Sequence, residues 1–118
     1  MTTTDHLLPI PEVAALLGIT DRRLRQHCEA GAIRRPERGM VDPAWALYFA
    51  TGTRITADLA HPPTSPEVLV AVGWTIGCGG AAGAKQDRAL LVELFERNGK
   101  TRDDAMLALG QALALVAR

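Results

Sequence analysis

The sequence predicts a mainly α fold, in which a small β-hairpin follows two short N-terminal helices and an antiparallel helix hairpin closes the chain. Two observations carry that prediction. Glycines and capping residues cut the 118 residues into helix-length segments. Within those segments the apolar side chains recur at spacings of three and four. The length suits one compact domain, or a small module with an accessory segment. The expected organisation is an N-terminal module over 1–52, a linker over 53–65 and a helical segment over 66–118.

Residues 7–18 are expected to form the first helix. Pro11 suits a first helical turn, Glu12 favours the N-terminal dipole, and Val13, Leu16 and Leu17 recur at helical spacing. Gly18 stops it, because glycine takes the left-handed conformation that helix ends need. Ile19 plugs the turn and Thr20 caps a second helix over 21–30, which Gly31 ends. Two helices joined by Gly18-Ile19-Thr20 form a helix-turn-helix. Ile33 and Met40-Val41 then bracket a polar stretch with Pro36 and Gly39, which suits a β-hairpin wing. Asp42-Pro43 starts a third helix over 43–50, carrying Trp45, Leu47, Tyr48 and Phe49, with Gly52 closing it.

Residues 53–65 end in His61-Pro62-Pro63-Thr64-Ser65 and read as the linker. Ser65-Pro66-Glu67 opens a helix over 66–76. No charge falls between Val68 and Ala84, yet five glycines interrupt that run. A buried helix and a Gly77–Gly83 loop suit it better than a membrane span. An amphipathic helix follows over 86–97, with Leu90, Leu91, Leu94 and Phe95 on one face and Asn98-Gly99 as its stop. Thr101 caps the last helix, where Met106, Leu109, Leu113 and Val116 line up.

Thirteen basic and thirteen acidic residues give a net charge of zero, but the distribution is uneven. Segment by segment the charge is −3 over residues 1–21, +4 over 22–54 and −1 over 55–118. Six of the thirteen basic residues lie between Arg22 and Arg38. A local basic patch is the electrostatic footprint of a nucleic-acid contact. Cys28 and Cys78 stand too far apart for a disulfide framework or a clustered zinc site. No secretory signal is visible, and a cytoplasmic location is expected.

At about 100° per residue, Leu24 and Cys28 fall on the inner face of the second helix. Arg22, Arg23, Arg25 and Gln26 fall outside it. Arginine and glutamine carry the planar donor and acceptor groups that read guanine and adenine edges in the major groove. A helix-turn-helix presents its second helix to that groove. Arg34, Arg35 and Arg38 on the wing would reach phosphates or the adjacent minor groove. Double-stranded DNA is therefore the expected partner.

The run Glu12-Val13-Ala14-Ala15-Leu16-Leu17-Gly18-Ile19-Thr20-Asp21-Arg22-Arg23-Leu24-Arg25-Gln26 resembles the opening of MerR-like and excisionase-like winged helix-turn-helix domains. Val41-Asp42-Pro43-Ala44-Trp45-Ala46-Leu47-Tyr48-Phe49 looks like the element after the wing in small subunits of tailed-phage terminases. Val41 stands where that subfamily has an aromatic, and Arg23 where many relatives have a small polar residue. The resemblance covers about residues 10–52. It implies a non-enzymatic adaptor that recognises DNA for viral genome packaging, oligomerises, and presents the DNA to a large terminase ATPase. An excisionase-like or MerR-like regulator is the alternative within DNA binding. A protein-interaction module without DNA contact is the alternative outside it.

The apolar faces of the last two helices offer Leu90, Leu94, Met106, Leu109, Leu113 and Val116 to a second copy or a partner protein, or else to the helix over 66–76. Gly77-Cys78-Gly79-Gly80-Ala81-Ala82-Gly83 has the composition of a phosphate loop but lacks the following Lys-Ser or Lys-Thr. His6, His27 and His61 show no metal-ligand spacing. Glu93, Glu96, Asp103 and Asp104 suit helix surfaces and caps. No cofactor and no catalytic constellation are expected.

Overall fold

The structure is a computed structural model and describes residues 7–30 and 39–116. Among these residues the fold is mainly α, with seven helices and one two-stranded antiparallel sheet. The order is β1 (Leu8–Pro9), α1 (Ile10–Leu17), α2 (Asp21–Glu29), β2 (Met40–Val41), α3 (Pro43–Thr56), α4 (Pro66–Gly77), α5 (Ala81–Gln86), α6 (Arg88–Arg97) and α7 (Arg102–Val116).

The first helix starts later than its sequence pattern predicts. Pro9 disfavours helical geometry in the residue before it, so the chain enters extended. Leu8 pairs with Val41 and Pro9 with Met40, and the Ile10 N–H donates to the Gly39 carbonyl at 3.0 Å. Met40–Val41 thus has the N-terminal segment as its strand partner. The stretch expected to complete the wing, with Arg34, Arg35 and Arg38, lies outside the described residues.

The third helix is longer than predicted, and Gly52 is not its stop. A Cβ on Gly52 would lie 1.8 Å from the Leu69 carbonyl oxygen, and one on Gly73 would lie 2.1 Å from that of Tyr48. These two glycines let the backbones of α3 and α4 touch. Helix α3 runs on to Thr56, whose buried hydroxyl donates to the Gly52 carbonyl at 2.8 Å. Residues 53–56, read as linker, are therefore helical.

Helix α4 occupies the centre, packed against α3 and α7, with eight consecutive residues from Val68 to Thr75 buried. That burial accounts for the first part of the uncharged run, whereas residues 76–83 are exposed or half-buried. No helix among the described residues is long and apolar enough to cross a membrane. The glycine-rich connection is shorter than expected, because left-handed Gly79 and Gly80 turn the chain and α5 begins at Ala81. Helix α6 correspondingly starts at Arg88. Thr101 and Asp104 form a reciprocal cap on α7, with bonds of 3.0 and 3.1 Å between each backbone N–H and the other's side chain. Helix α7 touches α6 but lies chiefly along α4.

One apolar core joins the N-terminal helices to the C-terminal ones. The Trp45 and Phe95 rings meet at 5.0 Å between centroids. Beside them Asp42 is wholly buried and does two jobs. One oxygen caps α3 by accepting the Ala44 N–H at 3.0 Å. The other accepts Arg97 Nε at 2.7 Å and Asn98 Nδ2 at 2.9 Å. The N-terminus of α3 is thereby tied to the end of α6. Lys100 and Glu67 form a second ion pair at 2.9 Å between the α6–α7 turn and α4.

Candidate nucleic-acid interface

The geometry of α2 follows from the turn before it. Gly18 takes φ +71°, a conformation open to glycine and strained for other residues. The chain then folds back, and the Ile19 N–H donates to the Ala14 carbonyl at 3.0 Å. Thr20 Oγ1 accepts the Arg23 N–H at 3.1 Å, which fixes the first turn of α2. Leu24 and Cys28 are buried beneath the helix, and this anchors its rotation.

Arg22, Arg23, Arg25 and Gln26 consequently lie exposed in the first two turns. None of the three arginines has an ion-pair partner among the described residues. Asp21, the acidic residue of that first turn, is exposed beside them. The surface is therefore three unneutralised guanidiniums and an amide at the leading end of a helix. That set can hold phosphate oxygens and base edges.

The fold adds two neighbours to this surface. Arg54, assigned to the linker, is an exposed residue in the last turn of α3. It lines a cavity of about 190 Å³ together with Arg23, His27, Leu17, Ile19 and Phe49. The advance signal was charge alone, since Arg54 closes the +4 segment over 22–54. The second neighbour is His27, half-buried with its ring edge-on to Phe49 at 5.3 Å. Burial, helped by the Arg23 charge, holds its pKa below the ordinary histidine value.

The six residues expected to face a partner divide. Leu94 and Leu109 are buried in the core, which removes them from a contact surface in the folded chain. Leu113 and Val116 are half-buried and pack against that core. Leu90 and Met106 are exposed. The faces divide this way because α7 turns its small residues Ala105, Ala108 and Ala112, with Leu109, inward.

Burial and the nearby Asp87 charge push the Cys78 thiol up, the direction opposite to that of a reactive thiolate. No group of three His, Cys, Asp or Glu side chains among the described residues is placed to hold a metal ion. Comparison with protein-family models, curated proteins and solved structures gave no match.

Proposed function

We propose that the chain is a non-enzymatic DNA-binding adaptor that reads duplex DNA with α2, in the manner of a phage or phage-like terminase small subunit. The observation that carries this reading is the exposed set Arg22, Arg23, Arg25 and Gln26 on the second helix of a capped helix-turn-helix, with Leu24 and Cys28 fixing its rotation. The packaging role and a large ATPase partner rest on the resemblance of residues 10–52. Arg34, Arg35 and Arg38 extend the contact toward phosphates in this reading, and Arg54 adds a fourth described guanidinium near α2.

The test is duplex binding by the full chain and by an Arg22→Ala/Arg23→Ala/Gln26→Ala variant. All three side chains are exposed, so the helical circular-dichroism signal should stay unchanged while affinity falls at least about a hundredfold, at roughly 1–3 kcal/mol per base contact. Undiminished binding by the variant would sink the assignment of α2.

A protein-interaction module is the second reading. The chain's zero net charge and the exposed leucines Leu16 and Leu47 on α1 and α3 favour it. Absence of duplex binding at low salt would select it.

A further inference from the structure

Asn98 is the chain's only asparagine, and a glycine follows it. In an opened chain that pair is chemically labile, because glycine has no side chain to keep its nitrogen away from the neighbouring amide carbon. The fold holds the pair in an arrangement that blocks this chemistry. Asn98 is wholly buried where α6 ends. Its Nδ2 donates to Asp42 Oδ2 and to the Leu94 carbonyl, both at 2.9 Å, which fixes the amide in place. Arg97 Nε donates to the same Asp42 oxygen at 2.7 Å. The backbone at Asn98 takes ψ +17°, and the Gly99 N–H donates to the Glu96 carbonyl at 3.0 Å, so the nitrogen that would attack is tied back to α6. The Lys100 N–H closes the turn on the Phe95 carbonyl at 2.9 Å. One atom works against this closure. Asn98 Oδ1 is buried without a hydrogen-bond partner among the described residues, and opening of the turn would return it to water.

We infer that Asn98 is a deamidation site kept shut by its contact with Asp42 and Arg97, and that its modification makes opening of the α3–α6 joint irreversible. In the opened turn the Gly99 nitrogen loses its proton to water and bonds to Asn98 Cγ. The Cγ–Nδ2 bond then breaks and the side-chain nitrogen leaves as ammonia. One water opens the resulting cyclic imide at either carbonyl, giving aspartate or isoaspartate. The net change is amide plus water to carboxylate plus ammonium. An ionised carboxylate at residue 98 has no proton to donate to Asp42, and two carboxylates facing each other in a buried site repel. The isoaspartate product also lengthens the main chain by a methylene, which displaces Gly99 and Lys100 from the carbonyls they bond. Lys100 carries the ion pair to Glu67, so α4 loses its hold on the same turn. The inference stands on this turn alone and is tested without DNA.

Ageing of the full chain at mildly alkaline pH decides it, read by peptide mass at residue 98 and by an acidic shift from the isoelectric point of about 6.8. Folded wild type should deamidate far more slowly than the same chain in urea. Arg97→Ala loosens the contact without altering Asn98 or Gly99. It should speed modification at least about tenfold, because the rate follows the population of the open turn. Lys85→Ala, at an exposed position on α5, should age at the wild-type rate. Aged wild type, returned from urea, should show a lower urea midpoint than fresh chain treated alike, and Asn98→Asp should reproduce that fall. A folded chain that deamidates as fast as the unfolded one, an Arg97→Ala variant no faster than wild type, or an aged chain as stable as a fresh one would each overturn the inference. Should circular dichroism show Arg97→Ala unfolded, the wild-type comparisons in and out of urea still decide.

Discussion

Gly52 and Gly73 show how a single residue can carry a fold. At either position a methyl group would fall within 2.1 Å or less of a backbone oxygen on the facing helix, and backbone cannot swing aside as a side chain can. Gly52→Ala or Gly73→Ala should therefore destabilise the chain by about 3 kcal/mol or more, the upper end of overpacking costs. Gly110→Ala meets open space and lies within α7, so it should stabilise by up to about 1 kcal/mol. Urea midpoints of the three variants measure the contrast. Arg97 acts differently, through charge. Arg97→Ala leaves the wholly buried Asp42 with fewer partners, and the roughly 3–5 kcal/mol cost of breaking a buried pair falls to about 2 because Arg97 itself is 30% exposed. Arg22→Ala, on the exposed face of α2, should cost almost nothing in the same melt.

His27 adds a pH dependence at this scale. Its folded pKa lies below the unfolded value of 6.5, so the folded state binds the proton less readily. Its contribution to stability is complete above about pH 6.5 and is lost as pH falls from there through the folded pKa. A His27→Gln variant should show a flatter loss of urea midpoint between pH 7.5 and 5, about the range that brackets this titration. An unchanged slope would show that burial of His27 plays no part.

At the scale of elements, local chemistry predicts well where it acts alone. Gly18, Thr20, Asp42-Pro43, Asn98-Gly99 and Thr101 mark helix ends by backbone conformation and short-range hydrogen bonds, and those ends stand where the residues place them. Gly52 misled for a physical reason: a glycine that ends a helix and one that admits a neighbouring helix look identical in sequence. The start of α1 shifted because Leu8–Pro9 pairs with a strand more than thirty residues away, information that no local pattern holds. The inner and outer faces of α2 were legible, since Leu24 and Cys28 repeat at one helical turn. The place of Arg54 beside Arg23 was not, because it depends on how α3 crosses α1 and α2. Turn chemistry also sets an element-level prediction. Gly18→Ala introduces a side chain at φ +71° and should cost about 1 kcal/mol, read as a lowered urea midpoint.

At the scale of the molecule, the N-terminal and C-terminal segments share one core. Trp45 rests on Phe95, Gly52 on Leu69, and Asp42 on Arg97 and Asn98. A fragment cut within residues 57–65 would expose all three contacts. It should lose most of its helical signal, whereas the whole chain should unfold in one cooperative step. Two resolved transitions in the intact chain would show that the segments are energetically independent. The shared core also gives α2 a fixed platform: α2 packs on α1 and meets α3 through His27 and Phe49, and α3 is held by α4 and α6.

The proposed function requires α2 and its neighbours to form a local cationic surface for duplex DNA on a chain of zero net charge. Affinity measured against salt concentration tests it most directly. Neutralisation of about four to six phosphates predicts a log–log slope of about −4 to −5, reduced by about 2 when Arg22 and Arg23 become alanine. A slope near zero, or one that the two substitutions leave unchanged, would contradict it.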